Sequence, residues 1–124
     1  MTHRILIADD EPNIVISLEY LMQREGYAVS VARDGEAALA AIVRERPALV
    51  LLDVMMPKLS GTEVCQQVRA NDALKDTRIL MLSAKGRETD VAKGLGSGAD
   101  AYMTKPFSTR ELVQKVREML EGVA

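Results

Sequence analysis

The chain has 124 residues, of which 48% are hydrophobic and 27% charged, and its formal net charge at pH 7 is −2. This length suits one domain, and the slightly acidic balance gives no basic surface for nucleic acid or an anionic membrane. The single cysteine, Cys65, excludes an internal disulfide, and no apolar run approaches the ~20 residues that cross a bilayer. We therefore expect one cytoplasmic domain over residues 1–124.

The first strand and helix are predicted near the N-terminus. Residues 5–8 are an apolar run that ends on the acids at 9–11. Pro12 suits the first turn of a helix, where its missing N–H is not needed. Apolar residues at helical spacing continue toward Gly26, which is a typical helix stop. This pattern predicts a strand followed directly by an amphipathic helix.

The next elements lead to the most apolar run of the chain. A strand is predicted over residues 27–32, and Asp34-Gly35 is a turn that can cap a second helix. That helix must end before Pro47. Residues 48–52 are then apolar without alternation and end on Asp53. A short continuous run of this kind is typical of a central strand in a parallel sheet, with both faces buried.

The second half of the chain repeats this alternation. Residues 60–63 match the Ser-x-x-Glu capping box that starts a third helix. A fourth strand is predicted over residues 79–82, and a fourth helix, which carries interior glycines, over residues 87–97. A last strand over residues 100–104 precedes a second capping box at 108–111, which opens a fifth helix. The sequence therefore predicts five strands that alternate with five helices.

This alternation predicts an α/β fold with a five-stranded parallel sheet and helices on both faces. Four of the strands lead into polar side chains, and parallel strands place their carboxyl ends at one edge of the sheet. We therefore expect the following residues to meet: Asp9, Asp10, Asp53, Ser83 and Lys105.

Several carboxylates at one edge repel each other unless cations offset their charge. Lys105 supplies one cation, and Mg²⁺ is a natural second because it prefers oxygen ligands, including one or two carboxylates and a phosphate oxygen. The predicted edge therefore suits phosphoryl chemistry.

Four sequence blocks stand out in chain order: Ala8-Asp9-Asp10-Glu11, residues 52–61, Leu82-Ser83-Ala84, and residues 98–107, which include Lys105-Pro106-Phe107. Together they resemble the signature of bacterial two-component response-regulator receiver domains. The resemblance covers essentially the whole chain. It implies the flavodoxin-like (βα)₅ fold of chemotaxis regulators, with sheet order 2-1-3-4-5.

The resemblance also implies a role for individual residues. Asp53 is the expected phosphoacceptor, and Lys105 and Ser83 are expected to contact the phosphoryl oxygens. Mg²⁺ is the expected cofactor, held by Asp10, Asp53 and the Met55 backbone carbonyl, with Asp9 and Glu11 in its outer shell. Ser83 and Tyr102 are the expected switch residues, and the Lys105–Pro106 bond resembles a cis peptide of the family.

The function implied is a phosphorylation-dependent switch. The phosphoryl group is expected from a sensor histidine kinase or a phosphotransfer protein. The surface of helix 4, strand 5 and helix 5 would then control a downstream effector protein or domain. We expect no turnover of an external substrate and no direct contact with nucleic acid or membrane. We expect a monomer. Dimerisation on phosphorylation is left open, because Ala101 and Lys115 stand where dimerising receivers often carry an acid and an arginine.

Two alternatives remain at this stage. One is a small Mg²⁺-dependent phosphatase with Asp53 as nucleophile, although such enzymes carry a second acid where Met55 stands. The other is a degenerate receiver that serves only as a binding platform, against which the presence of every phosphorylation residue argues.

Overall fold

The computed structural model describes residues 2–84 and 98–121. Within these ranges the elements are β1 (Arg4–Ala8), α1 (Pro12–Arg24), β2 (Ala28–Ala32), α2 (Gly35–Glu45), β3 (Leu49–Asp53), α3 (Gly61–Arg69), a 3₁₀ turn (Asp72–Leu74), β4 (Arg78–Ala84), β5 (Ala101–Lys105) and α4 (Thr109–Leu120). The fourth predicted helix, over residues 87–97, lies outside the described residues. The helix named α4 is therefore the fifth predicted helix.

The strands form one parallel sheet in the order β2-β1-β3-β4-β5, so the predicted fold class and strand order are confirmed. β3 lies at the centre, and all five of its residues are buried. This central place explains the unbroken apolar run, because successive side chains of a strand point to opposite faces and both faces are covered.

Each face of the sheet has its own apolar core. On one face, helices α1 and α4 bury Val15, Leu18, Met22, Leu112, Val116 and Leu120 against side chains that include Ile5 and Ile7. On the other face, α2 and α3 bury Ala38, Ile42, Val64, Cys65 and Val68 against side chains that include Leu6 and Ala8. None of the helices in the described ranges combines the length and apolar character needed to cross a membrane.

The helices begin where the sequence predicts. Pro12 occupies the first turn of α1, and Asp34 caps α2 by accepting a hydrogen bond of 2.7 Å from the Ala37 N–H. Ser60 and Glu63 form both bonds of the predicted capping box at the start of α3. These caps satisfy backbone N–H groups that have no partner inside a helix.

Two strands are longer at their carboxyl ends than predicted. β4 includes Ser83, and β5 includes Lys105, with Ser83 opposite Thr104 and Ala84 opposite Lys105. Pairing between the two strands continues through these polar residues because their side chains point away from the ladder of backbone hydrogen bonds. Ser83 and Lys105 therefore project from regular strands rather than from loops.

The start of β5 is held by Arg69, the last residue of α3. Its guanidinium donates to the Gly98 carbonyl at 2.7 Å, the Thr77 carbonyl at 2.8 Å and the Asp100 carboxylate at 2.7 Å. Asp100 also accepts from the Ile79 N–H and donates its own N–H to the Ile79 carbonyl. These contacts set the register of β5 against β4, and that register places Lys105 at the carboxyl edge of the sheet.

Candidate functional site

Three aspartates meet at the carboxyl edge of the sheet. Asp9 and Asp10 directly follow β1, and Asp53 ends β3, which is the neighbouring strand. One carboxylate oxygen from each residue lies within 4.8 Å of the others. Asp9 and Asp53 are 0% and 4% exposed, whereas Asp10 is exposed. The predicted convergence of these residues is therefore present in the fold.

Lys105 reaches this cluster from the end of β5. Its Nζ donates a hydrogen bond of 2.8 Å to Oδ2 of Asp9 and lies 3.5 Å from both Oδ1 of Asp53 and Oε1 of Glu11. The lysine side chain is 11% exposed, so its charge acts where water screens poorly. One ammonium group thus faces several carboxylates.

Backbone N–H groups orient the two buried carboxylates. Oδ1 of Asp9 accepts from the Glu11 N–H at 2.9 Å, so both oxygens of Asp9 are engaged once the contact with Lys105 is included. Oδ1 of Asp53 accepts a longer bond, of 3.3 Å, from the Met55 N–H. Asp9 is therefore the more tightly held of the two.

The cluster carries more negative charge than Lys105 can offset. Burial and the charge of Asp9 raise the pKa of Asp53 to about 6, although Lys105 and the Met55 N–H act in the opposite direction. Burial alone would lower the pKa of Lys105, but its hydrogen bond to Asp9 and the charges of Asp53, Asp9 and Glu11 outweigh burial and raise it. Both shifts indicate a site that favours additional positive charge.

A hard divalent cation fits these donors. All the side chains of the three-aspartate group present oxygen, which Mg²⁺ prefers over nitrogen or sulfur. The spacing of the three carboxylate oxygens allows them to surround a single ion. The donor set therefore agrees with the cofactor expected from the sequence.

The structure places the other predicted site residues around this cluster. Ser83 is buried on β4, between the strands that carry Asp53 and Lys105. Met55 is exposed, and its backbone N–H contacts Oδ1 of Asp53. Tyr102 lies three residues before Lys105 on β5, and its residue is 39% exposed. Tyr102 is thus on the same strand as the site but outside the aspartate cluster. The Lys105–Pro106 peptide bond is cis, as the resemblance to receiver domains implies.

Gly61 also supports the site, although it is not among the predicted site residues. Its N–H donates to the Val54 carbonyl at 2.9 Å, and a Cβ on Gly61 would lie 2.2 Å from the carbonyl oxygen of Asp53. Only glycine permits this close approach. The available signal was a glycine in the first turn of a helix, where its low helix propensity calls for a packing reason.

Comparison with known proteins identifies the family. Residues 5–117 match the family model described as the response regulator receiver domain. The chain is 50% identical, over 120 residues, to the alkaline phosphatase synthesis transcriptional regulatory protein PhoP of Bacillus subtilis. That alignment covers 97% of this chain and 49% of PhoP, so the chain spans about half the length of this curated relative.

Solved structures agree with this match. The chemotaxis response regulator CheY4 of Vibrio cholerae is 31% identical, with a TM-score of 0.90, over 97% of this chain and all of that one (100%). The signal receiver domain of a signal transduction histidine kinase from Syntrophus aciditrophicus is 30% identical, with a TM-score of 0.92, over 98% of this chain and 92% of that one. These findings give no support to the alternative of a small phosphatase.

Proposed function

The chain belongs to the response-regulator receiver family, and from that membership we propose that Asp53 is the residue that accepts the phosphoryl group. A receiver domain of this family serves phosphorylation-dependent signalling in two-component systems. The observation that carries the assignment is the position of Asp53. It is buried at the carboxyl edge, 3.5 Å from the Lys105 ammonium and beside the carboxylates of Asp9 and Asp10.

In the proposed reaction, a carboxylate oxygen of Asp53 attacks the phosphorus of a phosphohistidine. An O–P bond forms, the P–N bond breaks, and the histidine ring leaves and takes up a proton. Phosphoryl transfer of this kind depends chiefly on positioning and on offsetting charge. Lys105 can contact a phosphoryl oxygen after a short movement from Asp9, and the Ser83 hydroxyl is the proposed donor to a second oxygen.

Mg²⁺ is the proposed cofactor. Asp10, Asp53 and the Met55 backbone carbonyl would hold it, with Asp9 and Glu11 ordering its outer shell. When bound, the ion would offset the negative charge of the phosphoryl oxygens. The engagement of both Asp9 oxygens by Lys105 and the Glu11 N–H supports an outer-shell role for Asp9.

The switch is proposed to run along β5. Phosphorylated Asp53 carries additional negative charge and three strong acceptor oxygens, which attract Ser83 and Lys105. Lys105 and Tyr102 share β5, so a movement at Lys105 acts on the strand that carries Tyr102. Tyr102 then turns inward, and the surface formed by the fourth predicted helix, β5 and α4 changes. Such a change requires an element with two stable arrangements.

The partners follow from this scheme. We propose a sensor histidine kinase or a phosphotransfer protein as donor, and an effector protein or domain as the recipient of the signal. Because the relative PhoP is named a transcriptional regulatory protein, we propose control of transcription as the output. We further propose that residues 1–124 form one receiver domain, a monomer before phosphorylation, without turnover of an external substrate.

The cytoplasm is the proposed compartment. The single cysteine, Cys65, is buried, and a chain without an internal disulfide suits a reducing environment.

The test is intact-mass measurement after incubation with acetyl phosphate or phosphoramidate, with and without Mg²⁺. We expect the wild type to gain one phosphoryl group only with Mg²⁺, and Asp53→Asn to gain none. Asp72→Asn, a change at an exposed carboxylate in the connection between α3 and β4, is the matched control and should behave as wild type. An adduct that persists in Asp53→Asn would refute the assignment. Continuous release of phosphate from an aryl phosphate, abolished in that variant, would instead indicate a phosphatase.

A further inference from the structure

The N-terminus of α2 lies against the loop that follows Asp53. The Gly35 N–H donates a hydrogen bond of 3.1 Å to the Pro57 carbonyl. A Cβ on Gly35 would lie 2.0 Å from the carbonyl oxygen of Leu59 and 2.5 Å from the Leu59 Cβ. Backbone oxygen cannot yield as a flexible side chain can, so this contact requires glycine at position 35.

Lys58, which lies between the two loop residues that contact Gly35, has a left-handed backbone. Its φ is 71°, and the Leu59 N–H donates to the Pro57 carbonyl at 2.9 Å, which closes a three-residue turn centred on Lys58. A residue with a side chain adopts this conformation only where surrounding contacts hold it. The Pro57 carbonyl accepts from both Leu59 and Gly35, so the same atom closes the turn and fastens it to α2.

The Lys58 side chain contributes little to this attachment. Its Nζ lies 3.8 Å from Oδ2 of Asp34, but the side chain is 58% exposed, and exposed ion pairs of this length are weak. The attachment is therefore made by the backbone of Gly35 and of the turn.

The other end of the same loop is bound to the acceptor. The Met55 N–H contacts Oδ1 of Asp53, and Gly61 closes the loop through the Val54 carbonyl. Between the two ends, Met56 is buried in the core on the α2 and α3 face. The loop is thus held at both ends, and Gly35 holds the turn at Lys58 between them. The position of this turn therefore determines the path of the backbone through Met55.

We infer that Gly35 is a positioning residue of the phosphorylation site, which acts through the turn at Lys58 on the Met55 backbone beside Asp53. This inference rests on the proposed function, in which the Met55 carbonyl is a ligand of Mg²⁺. If the Gly35 contact favours binding of the ion, binding of the ion must favour the contact to the same degree.

The first experiment measures the Kd for Mg²⁺ by calorimetric titration. Gly35→Ala should weaken binding by about 10-fold or more, as loss of an outer-shell support does at other metal sites. Gly26→Ala is the control, because Gly26 has a φ of 92° in the turn at the opposite edge of the sheet and open space around a Cβ. It strains the fold without touching the loop, so its Kd should equal that of wild type. Equal weakening in both variants would overturn the inference.

A second pair of variants changes the turn without adding bulk at α2. Lys58→Gly keeps a positive φ accessible, whereas Lys58→Pro fixes φ near −65°. Both remove the same exposed side chain, so the pair differs in backbone conformation. We expect a Kd near wild type for Lys58→Gly and a weakened one for Lys58→Pro. Identical values would contradict the role of the turn.

A third measurement uses the wild type alone and so does not depend on the folding of a variant. Hydrogen exchange of the Gly35 amide should slow when Mg²⁺ is added, whereas that of the Gly26 amide, bonded to the Gln23 carbonyl, should not change. Unchanged exchange at Gly35 under saturating Mg²⁺ would overturn the inference. If wild-type protein took no phosphoryl group at Asp53, the proposed function itself would fail. Normal phosphorylation with an unresponsive Gly35 would remove only the inference.

Discussion

Lys105 donates its hydrogen bond to Asp9, at 2.8 Å, and stands 3.5 Å from Asp53. The lysine that is proposed to bind the phosphoryl group is therefore held by a neighbouring carboxylate in the unphosphorylated fold. Asp9 is fully buried and also bound to the Glu11 N–H, so it offers a fixed resting place for the ammonium group. On the proposed function, a phosphoryl group on Asp53 would compete with Asp9 for the Lys105 ammonium group.

Replacing Lys105 should change the protonation of Asp53. Burial is the main reason why the pKa of Asp53 is raised to about 6, and the charge and hydrogen bond of Lys105 act against that rise. Lys105→Met should therefore raise the Asp53 pKa above its wild-type value. Carbon-13 NMR titration of the Asp53 carboxyl in Mg²⁺-free buffer measures this directly. Lys58→Met, at an exposed lysine that pairs with Asp34, should leave the titration unchanged.

The raised pKa of Asp53 predicts a dependence of stability on pH. In the metal-free native state Asp53 keeps its proton up to about pH 6, whereas in the unfolded chain it loses the proton near 3.8. The native state binds more protons in this window, so Asp53 makes the free energy of unfolding fall as pH rises from about 4 to 6. The full effect above pH 6 is about 3 kcal/mol.

Asp53→Asn should not show this fall in the free energy of unfolding, so the variant should be more stable than wild type at pH 7. Urea denaturation with EDTA, from pH 4 to 8, gives the difference between the two proteins. The two curves should converge toward pH 4 and separate toward pH 7. Parallel curves would show that the acceptor is not buried in the way described.

The adjacent acids Asp9 and Asp10 should behave differently. Asp9→Ala removes the buried acceptor of Lys105 and of the Glu11 N–H, so we expect a loss of about 2–4 kcal/mol of stability without Mg²⁺. Asp10→Ala alters an exposed side chain and should change stability by less than about 0.5 kcal/mol. Mg²⁺ at a hundred times the wild-type Kd should raise the free energy of unfolding of wild type by about 2.7 kcal/mol. The same Mg²⁺ concentration should raise that of Asp10→Ala far less. Chemical denaturation with and without Mg²⁺ measures both effects.

Tyr102 should become less exposed on activation. We predict that, in protein with fluorotyrosine at every tyrosine, the fluorine NMR signal of Tyr102 shifts when beryllofluoride and Mg²⁺ are added, because the ring leaves solvent. The chain has three tyrosines, so Tyr20 and Tyr27 serve as internal references within one spectrum. The shift should be absent in Asp53→Asn. A Tyr102 signal that stays constant in wild type would remove this residue from the switch.

Much of the fold was predictable because its signals are local. Continuous apolar runs predicted the parallel strands, and the caps at Asp34 and Ser60 marked helix starts through side chains three residues from their partners. The convergence of Asp9, Asp53 and Lys105 followed from one topological rule, that parallel strands end at the same edge. The strand order came from resemblance to a family.

The supports of the site were not predictable, because they join segments that are distant in sequence. The contact of Arg69 with Asp100 joins the end of α3 to the residue before β5, and nothing in either segment marks it. Lys58 has no residue type that favours a positive φ; its conformation is set by the surrounding loop and by Gly35. The ends of β4 and β5 were placed too early because a polar residue was taken as the end of a strand, whereas backbone pairing continued.

The bond between Lys105 and Asp9 joins residues that are 96 positions apart. Closing so long a loop costs chain entropy, and contacts at such separations form late when a protein folds. The lysine reaches the aspartates only after the first and last strands have both joined the sheet. A nascent or partly unfolded chain would thus present Asp53 without its cationic neighbour and make a poor phosphoacceptor. On the proposed function, phosphorylation of Asp53 would therefore depend on complete folding of the domain.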